Sequence, residues 1–385
     1  MTNNKDKKVL NVPNLRFPEF TGEWMKCKFG EIATGFDYGM NAAAKPYDGQ
    51  NKYIRITDID EASSTYNNSS IVSPDGILSE NYVVNEGDIL LARTGASTGK
   101  SYLYRKSDGK LYYAGFLIRA NVAEHNPYFV FSQLHTHRYW RWVSIMSARS
   151  GQPGINSLEY ASFPIFTTTL KEENKISSLL SLIDERITTQ NKIIEDLKKL
   201  KSAISLKMLH SDSWEQFKIQ DIASIGRGRV ISSVEISQQK NPTYPVYSSQ
   251  TSNEGIMGYL DDYMFEGEYI SWTTDGANAG TVFYRNGKFN CTNVCGLLKL
   301  KKGFDTHFVS LVLAEATKKY VSVNLANPKL MNNTMGNIQI RLPKLEEQKR
   351  ISIVFRRLHE LLAIHNNLLT EYSKQKQYLL SQMFI

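Results

Sequence analysis

The sequence predicts a mixed α and β (α+β) protein with a pseudo-two-fold internal duplication: module, long helix, module, long helix. Three observations predict this arrangement. Two stretches carry a heptad pattern of apolar residues, the polar interruptions of the two patterns coincide, and three further segments of the first half return in the second. A repeat of such long period has to be recognised before the fold is argued, because each copy is expected to form its own structural unit.

The two long helices are predicted by apolar residues that alternate in steps of four and three, with two polar interruptions in each. The first seam comprises Ile176, Leu180, Ile183, Ile187, Ile194, Leu197, Ile204 and Met208. The second comprises Ile351, Phe355, Leu358, Leu362, Leu369, Tyr372, Leu379 and Met383. Each member of the second seam lies 175 positions after its counterpart in the first. The polar interruptions keep the same offset, with Gln190 and Lys201 matching His365 and Lys376. Two unrelated helices would not share these defects.

The modules that precede the helices also repeat. A patterned segment begins at Trp24 and returns at Trp214, 190 positions later. A glycine-rich segment at residues 86–99 returns at 266–280, and residues 150–156 correspond to residues 325–331. The offset falls from 190 to 175 along the chain, so the second copy is shorter. The residues that the second copy lacks fall between the repeated segments, in loops, which tolerate deletion.

Within the modules, short segments rich in Val, Ile, Tyr and Phe are punctuated by Gly, Asn and Asp, which predicts irregularly spaced strands. The predicted strands are residues 52–59, 87–92, 102–105, 244–248, 268–273, 281–284 and 296–300. Helices are predicted at residues 128–146 and 307–322. The pattern does not determine the order of the strands.

Composition narrows the class of protein. The 385 residues carry a net charge of +8 and a pI of about 9.1, which favours a polyanionic partner, either nucleic acid or an acidic membrane surface. No apolar run approaches the roughly 18 residues of a membrane span, and the polar start lacks the features of a secretory signal. The three cysteines, Cys27, Cys291 and Cys295, have no zinc-site spacing. We expect reduced thiols in a cytoplasm.

Several strings imitate enzyme motifs without completing them. Residues 95–101 resemble a phosphate-binding P-loop, but Thr94 stands where the first glycine belongs. Residues 126–129 resemble the Asn-Pro-Pro-Tyr/Phe string of adenine methyltransferases but lack one proline. Asp75 and Asp108 imitate part of a metal-dependent nuclease site, yet the second half has Asn286 in the place of Asp108. Enzymatic activity is therefore disfavoured.

The remaining candidates are loops that carry Arg, Lys, Asn, Gln, Ser and Thr, the groups that bond to base edges and phosphates. In the first module they are Arg93, Thr94, Ser97, Lys100, Arg149, Ser150, Gln152 and Asn156. In the second module they are Arg227, Arg229, Ser248, Ser249, Gln250, Thr273, Thr274, Asn278, Lys329, Asn332 and Asn333. The prediction concerns the set, since any one of these residues could equally be a solvated loop residue.

With these features the chain resembles the specificity subunits of type I restriction–modification systems. The resemblance is carried by the twice-repeated plan and by the starts at Trp24 and Trp214. The most specific motif is a proline followed by an acidic helix start, at residues 164–176 and again at 343–351. The resemblance covers nearly the whole chain.

The resemblance implies two target-recognition domains, residues 23–165 and 212–343, each reading half of a split double-stranded DNA site. It implies spacer helices at residues 166–211 and 344–385 that form an antiparallel coiled coil. Residues 1–22 are expected to form a polar N-terminal arm before the first domain. That coil would dock two methyltransferase subunits, which carry S-adenosylmethionine. Separate restriction (motor) subunits would use ATP and Mg²⁺. This chain would have no catalytic residue, cofactor, metal or membrane partner, and would act in a bacterial or archaeal cytoplasm.

The symmetry of DNA supports the antiparallel arrangement independently. Two similar modules that read a duplex in opposite senses share a two-fold axis, and helices related by a perpendicular two-fold axis run antiparallel. A helix over residues 176–208 would be about 48 Å long at roughly 1.5 Å per residue. Half-sites one DNA turn apart are centred about 34–36 Å from each other, so the helix is long enough to set that distance.

Two other classes of function remain open at this point. The chain could be a self-sufficient restriction or methylation enzyme, or a coiled-coil scaffold for a partner other than nucleic acid. The polar seam residues Gln190, Lys201, His365 and Lys376 also have two interpretations, because they could fix the helix register or face a partner subunit.

Overall fold

The computed structural model describes residues 10–61, 63–148, 153–322 and 327–385. The chain divides into two compact units. The first unit comprises Met1–Asn191 and Leu368–Ile385, and the second comprises Lys192–Asn367. The limits of the recognition domains and of the N-terminal arm stay predictions, and residues 1–9 of that arm lie outside the described residues.

The first unit is built from short strands and short helices that lead into one long helix. Its described strands are β1 (Met25–Lys28), β2 (Thr34–Tyr38), β3 (Ala43–Pro46), β4 (Lys52–Ile54), β5 (Val72–Asp75), β6 (Asp88–Ala92), β7 (Ser101–Leu103), β8 (Leu111–Tyr113), β9 (Leu117–Asn121) and β10 (Pro164–Thr167). Its described helices are α1 (Phe29–Ile32), α2 (Pro127–Gln133), α3 (His137–Met146), α4 (Ser157–Ala161) and the first part of α5 (Leu170–Met208).

The central sheet of the first unit has the order β2-β9-β6-β7, with antiparallel neighbours. A parallel pair, β4 with β8, and an antiparallel pair, β3 with β5, lie outside it. Strands β1 and β10 form an antiparallel pair just before α5. Apolar side chains of β6 and β9 are buried against α2, α3 and α4 in one continuous core.

The second unit repeats this plan. Its described strands are β11 (Glu215–Lys218), β12 (Ala223–Arg227), β13 (Tyr244–Tyr247), β14 (Ile256–Leu260), β15 (Phe265–Glu266), β16 (Tyr269–Thr273), β17 (Val282–Arg285), β18 (Lys288–Cys291), β19 (Cys295–Leu300) and β20 (Gln339–Leu342). Its described helices are α6 (Ile219–Ile222), α7 (Ser233–Ser237), α8 (Thr306–Ala316), α9 (Asn332–Asn337) and the first part of α10 (Leu345–Met383).

The strand orders of the two units correspond. The order β12-β19-β16-β17 matches β2-β9-β6-β7, the pair β11–β20 matches β1–β10, and the parallel pair β13–β18 matches β4–β8. The units differ elsewhere. In the second, β14 and β15 complete a four-stranded second sheet, and α8 stands where the first unit has α2 and α3. The topology thus supports the duplication predicted from the sequence.

Two local predictions were wrong. The helix predicted at residues 128–146 is broken in two, because the hydroxyl of Thr136 accepts a hydrogen bond from the Tyr139 amide and starts a new helix. The strand predicted at residues 52–59 ends at Ile54, because the Asp58 carboxylate bonds back to the Arg55 amide and closes a 3-10 turn.

The long helices run antiparallel within the first unit. Near the start of α5, Ile176 and Leu180 share a buried cluster with Leu379 and Met383, near the end of α10. Further along α5, Arg186 lies 5.6 Å from the ring of Tyr372, which comes earlier in α10. Residue numbers therefore rise along one helix as they fall along the other, in the manner of an antiparallel coiled coil.

The same direction holds in the second unit. Ile204 and Met208, at the end of α5, pack in one core with Ile351 and Phe355, at the start of α10. The two helices are 39 residues each and their starts lie 175 positions apart, as the seams predict. Every predicted seam residue is buried or half-buried. None of the helices in the described ranges is long and apolar enough to cross a membrane.

Each module is joined to the helices through its repeated tryptophan. In the first unit Trp24 is buried in the cluster that holds Ile176 and Leu379, with its ring 5.3 Å from that of Phe129. In the second unit Trp214 packs against Phe308 in the core that contains the start of α10. The repeated tryptophans at residues 24 and 214 therefore form the contact between each module and the long helices.

Two buried carboxylates fix the first turn of α5. Glu172 accepts bonds of 2.6 and 2.8 Å from the guanidinium of Arg16, and it also accepts from Trp24 and Thr168. Burial alone would raise the pKa of Glu172, but these hydrogen bonds outweigh it and leave the pKa below its ordinary value. Glu173 is fully buried and accepts from the amides of Asn126 and Thr168.

In the second unit the start of α10 is held by an equivalent hydrogen bond, which is made by an uncharged side chain in place of the carboxylate. Gln348 occupies the position of Glu173, and its side-chain oxygen accepts from the amide of Asp305 at 3.0 Å. Its nitrogen donates to the carbonyl of Pro343 at 2.8 Å. Asp305 caps α8 as Asn126 caps α2, so each long helix is tied to the N-terminus of a module helix.

The polar seam positions differ between the units. In the first, Lys376 forms a 2.6 Å ion pair with Asp184, which also accepts from the hydroxyl of Tyr128. In the second, the position of Asp184 is taken by His359, whose ring centroid lies 5.9 Å from that of His307. The position of Lys376 is taken by Lys201. The pKa of Lys201 is lowered by burial, and the pKa of His359 is lowered by burial and by Lys201.

We expect Glu173→Ala to lower the free energy of unfolding by about 2–4 kcal/mol, because buried donors lose their acceptor. Glu173→Gln is expected to cost much less, since Gln348 performs this role in the second unit. Urea unfolding of the full chain measures both. The exposed Glu185→Ala serves as the matched control, and equal losses for Glu173→Ala and Glu185→Ala would contradict the anchoring role.

We expect acid to destabilise the second unit through His307. Burial, with the positive charges of Arg356 and Lys201 nearby and His359 alongside, lowers the pKa of His307 to about 4, while Asp305 opposes the shift. The ordinary value is about 6.5, so the stabilisation is complete above pH 6.5 and is lost as the pH falls towards 4. Between pH 7 and 5 the loss is on the order of 1–2 kcal/mol. His307→Gln should flatten this part of the stability profile and the exposed His137→Gln should not; a profile of His307→Gln that overlays the wild type would refute the assignment.

Candidate nucleic-acid interface

Three separated segments of the first unit meet at one edge of its central sheet. The segment after β6 begins at Arg93, whose carbonyl accepts from the amide of Ile155 at 2.9 Å. An isolated bridge joins Thr94 to Gly154, and the Gly95 amide bonds to Pro153. The end of β2 closes the edge, because the Ser157 amide donates to the hydroxyl of Tyr38 at 3.3 Å. The predicted residues Arg93, Thr94 and Asn156 are therefore neighbours.

The second unit forms the same junction. The amide of Leu330 donates to the carbonyl of Thr274 at 2.8 Å, and an isolated bridge joins Asp275 to Lys329. The end of β12 again closes the edge, here through a 2.9 Å bond from Arg227 Nε to the side-chain oxygen of Asn332. The structure thus brings together Arg227, Lys329 and Asn332, which the sequence predicted from two distant loops.

The glycine-rich segments are a tight turn of the fold. In both copies the last glycine bonds back across the turn, from Gly99 to Ala92 and from Gly280 to Thr273. These glycines have φ values of +92° and +83°, which side chains rarely adopt. The turn explains the likeness to a P-loop without a phosphate. Ser97 is half-buried within the first turn, and Lys100 forms a 3.3 Å ion pair with Glu61.

Other predicted residues have structural partners. Asn156 caps α4, accepting from the Glu159 amide, so its side chain is committed to the helix start. Arg229 is exposed but forms a two-bonded ion pair with Glu235. The side-chain nitrogen of Gln250 donates to the carbonyl of Ile256. A DNA contact by any of these residues would compete with these bonds.

The accessibility of the remaining predicted residues is uneven. Thr273 and Thr274 are fully buried, and Thr274 donates to the carbonyl of Val294. Their side chains cannot reach a ligand where they lie. The exposed or half-exposed ones are Ser248, Ser249, Asn278, Lys329 and Asn333. Arg149, Ser150 and Gln152 lie outside the described residues.

Sequence reasoning missed four residues beside Arg93 that line a cavity of about 660 Å³: Tyr38, Arg55, Thr57 and Phe116. Tyr38 and Phe116 are large aromatic side chains that remain 43% and 57% exposed. Hydrogen bonding from Ser157 lowers the pKa of Tyr38, and the charge of Arg93 adds to this. Arg55 is held by Asp58 through bonds of 2.7 and 2.8 Å.

The structure relates two of these residues to residues that the sequence selected in the second unit. In the parallel pairs, Ile54 lies opposite Tyr113 and Tyr247 lies opposite Cys291. This register maps residues 55–57 onto residues 248–250, so Arg55 corresponds to Ser248 and Thr57 to Gln250. The correspondence comes from the strand pairing, because its offset of 193 lies outside the range of 175 to 190 of the repeated segments.

The strings that imitate enzyme motifs have local structural roles. Asn126 caps α2 and Pro127 occupies its first turn, which accounts for the likeness to a methyltransferase string. Asp108 accepts from the hydroxyl of Tyr102 at 2.6 Å. Among the described residues, no group of three or more His, Cys, Asp and Glu side chains is placed to hold a metal ion.

Comparison with known proteins gives relatives of one kind. The family model of the type I restriction modification DNA specificity domain matches residues 211–372. The chain is 38% identical over 196 residues to a type I specificity subunit of Mycoplasma pneumoniae, covering 50% of this chain and 81% of that protein. It is 45% identical over 141 residues to the specificity subunit of the M. pneumoniae type I restriction enzyme MpnII, covering 36% and 42% respectively.

Solved structures resemble the whole chain. The S subunit of a type I restriction–modification system from M. genitalium matches with a TM-score of 0.73 at 16% identity, covering 97% of this chain and 99% of that one. A chain from a study of complex assembly in the type I R-M system matches with a TM-score of 0.52 at 14% identity, covering 94% and 97%. These likenesses confirm the predicted fold class. Because the 38% identity extends over 81% of a specificity subunit, the chain belongs to the family of type I restriction–modification specificity subunits.

Proposed function

We propose that this chain is the DNA-reading subunit of a type I restriction–modification complex. Each recognition domain, residues 23–165 and 212–343, reads one half of a bipartite site in double-stranded DNA. Helices α5 and α10 set the distance between the half-sites and dock two methyltransferase subunits. The observation that carries the proposal is the repeated junction of three loops, which presents an arginine at the same sheet edge in each unit.

The chemistry of the two edges supports DNA as the ligand. Arg93 in the first unit and Arg227 with Lys329 in the second are cationic, as phosphate and base contacts require. The candidate DNA-binding set is the one selected from the sequence without the buried Thr273 and Thr274, with Tyr38, Arg55, Thr57 and Phe116 added from the cavity of the first unit. The overall charge of +8 favours a polyanion.

The reactions themselves are assigned to other subunits. In this proposal the methyltransferase subunits carry S-adenosylmethionine, and the restriction subunits use ATP and Mg²⁺. This chain contributes no catalytic residue and no cofactor. It supplies binding energy and position, which bring the reacting groups of its partners to the DNA.

Exchanging residues 23–165 for the first domain of another specificity subunit is expected to change one half of the methylated sequence and leave the other unchanged. The reason is that each unit has its own cores and its own reading edge. Methylome sequencing of cells that carry the complete complex measures the result. The reciprocal exchange of residues 212–343 is the control, and a change in both halves or in neither would contradict modular reading.

Removing one heptad from each helix is expected to shorten the unread gap by about 3 base pairs, because seven helical residues span about 10 Å. Deleting residues 187–193 and 362–368 leaves the Asp184–Lys376 pair and the corresponding residues His359 and Lys201 outside the deletions. Deleting only residues 187–193 is the control, since it shifts the seams out of register and should abolish methylation. An unchanged gap in the double deletion would rule out a spacing role for the helices.

A further inference from the structure

Arg93 is held in one orientation at the mouth of the first unit's cavity. Its Nε donates to the carbonyl of Gly115 at 3.0 Å. Its guanidinium carbon lies 4.8 Å from the centroid of the Tyr38 ring and 5.9 Å from that of Phe116. Cation–π contacts and a hydrogen bond therefore fix a side chain that would otherwise sample many rotamers.

The backbone under Arg93 is fixed as well. Its amide donates to the carbonyl of Phe116, and its carbonyl accepts from Ile155. Within the described part of the chain, its two terminal nitrogens have no hydrogen-bond or carboxylate partner. Arg55, in the same cavity, is different, because Asp58 occupies its Nε and one terminal nitrogen. Arg93 is thus the guanidinium of this cavity with a pair of donors available to a ligand.

We propose that Arg93 reads a guanine through the major groove in the half-site bound by the first unit. The inference rests on the proposed function, since it assigns a base to the edge that the function assigns to DNA. Two adjacent N–H donors match the O6 and N7 acceptors of guanine, and no other base offers two acceptors there. The fixed side chain reduces the entropy lost on forming both bonds.

A phosphate contact would not need this arrangement. Phosphate oxygens accept hydrogen bonds from a flexible side chain over a wide range of directions, whereas O6 and N7 of guanine lie in one plane that matches the planar fork of arginine. Tyr38 and Phe116 act as positioning residues, because their exposed rings flank the guanidinium and leave its end open. Replacing a ring should loosen the selection for guanine without removing the charge.

The second unit does not repeat this reading group. The position of Arg93 is taken by Thr274, which is buried and bonded to Val294. The position of Tyr38 is taken by Arg227, which lies at the end of β12 and bonds to Asn332. The effect of changing Arg93 is therefore confined to one half of the target.

The experiment selects binding sites from a randomised DNA library with the full chain in complex with its methyltransferase subunits. We expect the wild type to enrich a bipartite site with a guanine in the half assigned to the first unit. Arg93→Lys and Arg93→Gln should reduce the preference for that G·C pair about ten- to hundredfold, at one position only. Arg141→Lys, on the exposed face of α3, is the matched control and should leave the site unchanged.

Variants of Tyr38 separate positioning from folding. Tyr38→Leu should weaken the same guanine preference, and Tyr38→Phe should restore it, because the ring and not the hydroxyl holds the guanidinium. A thermal melt of each variant checks that the first unit remains folded.

The outcomes distinguish this inference from the proposed function. If the wild type enriches no sequence, the proposed function itself fails. If the wild type enriches a bipartite site and both Arg93→Lys and Arg93→Gln keep the full preference, Arg93 does not read the base and the inference is overturned. A changed preference for a base pair other than G·C, or in both halves, also overturns it.

Discussion

The anchoring of the first turn of each long helix is the constraint on which the rest of the structure depends. Each long helix has 39 residues, and the contacts of its polar first turn set the direction in which it leaves the module. In α5 the start is held by Glu172 and Glu173, which accept hydrogen bonds from Arg16, from Asn126 at the cap of α2 and from Thr168 just after β10. In α10 Gln348 makes the equivalent contact. Without these contacts an apolar seam would still form, but only the packing of Trp24 and Trp214 and the contacts around them would hold each module to it.

Much of the fold could be predicted from the sequence because heptad spacing and internal repetition depend only on position along the chain. The seams identified both helices, although α5 begins six residues before Ile176, since its first turn is anchored by polar side chains. The break before α3 was missed because a single threonine cap overrides the helical pattern. Strand order was not predictable, because it depends on pairings between distant segments such as β2 and β9.

The candidate site was only partly predictable for the same reason. The choice of polar loop residues found Arg93 at the sheet edge of the first unit, and Arg227 and Asn332 at the sheet edge of the second. It also selected Thr273 and Thr274, which are buried, because composition does not reveal which side of a strand end faces solvent. It missed Tyr38 and Phe116, whose relation to Arg93 exists only through the order of strands β2, β9 and β6.

The two copies of the duplication share their backbone framework but differ in the side chains at their sheet edges. The retained features are backbone hydrogen bonds, glycine turns and helix caps, which need few particular side chains. The changed positions are those at the sheet edges, where Tyr38 corresponds to Arg227 and Arg93 to Thr274. A frame held mainly by main-chain contacts permits this divergence, so one architecture can present two unlike surfaces in one chain.

The ion pair between Asp184 and Lys376 has a consequence for chains that end after α5. Lys376 corresponds to Lys201, so one such half-length chain carries both partners of the pair on a single helix. Two copies lying antiparallel would place Asp184 of each opposite Lys201 of the other and form the bridge twice. The second half, with His359 and Lys376, has no acid for this purpose. The first half alone therefore carries the charges for self-association, and the fused chain has one such bridge where a homodimer would have two.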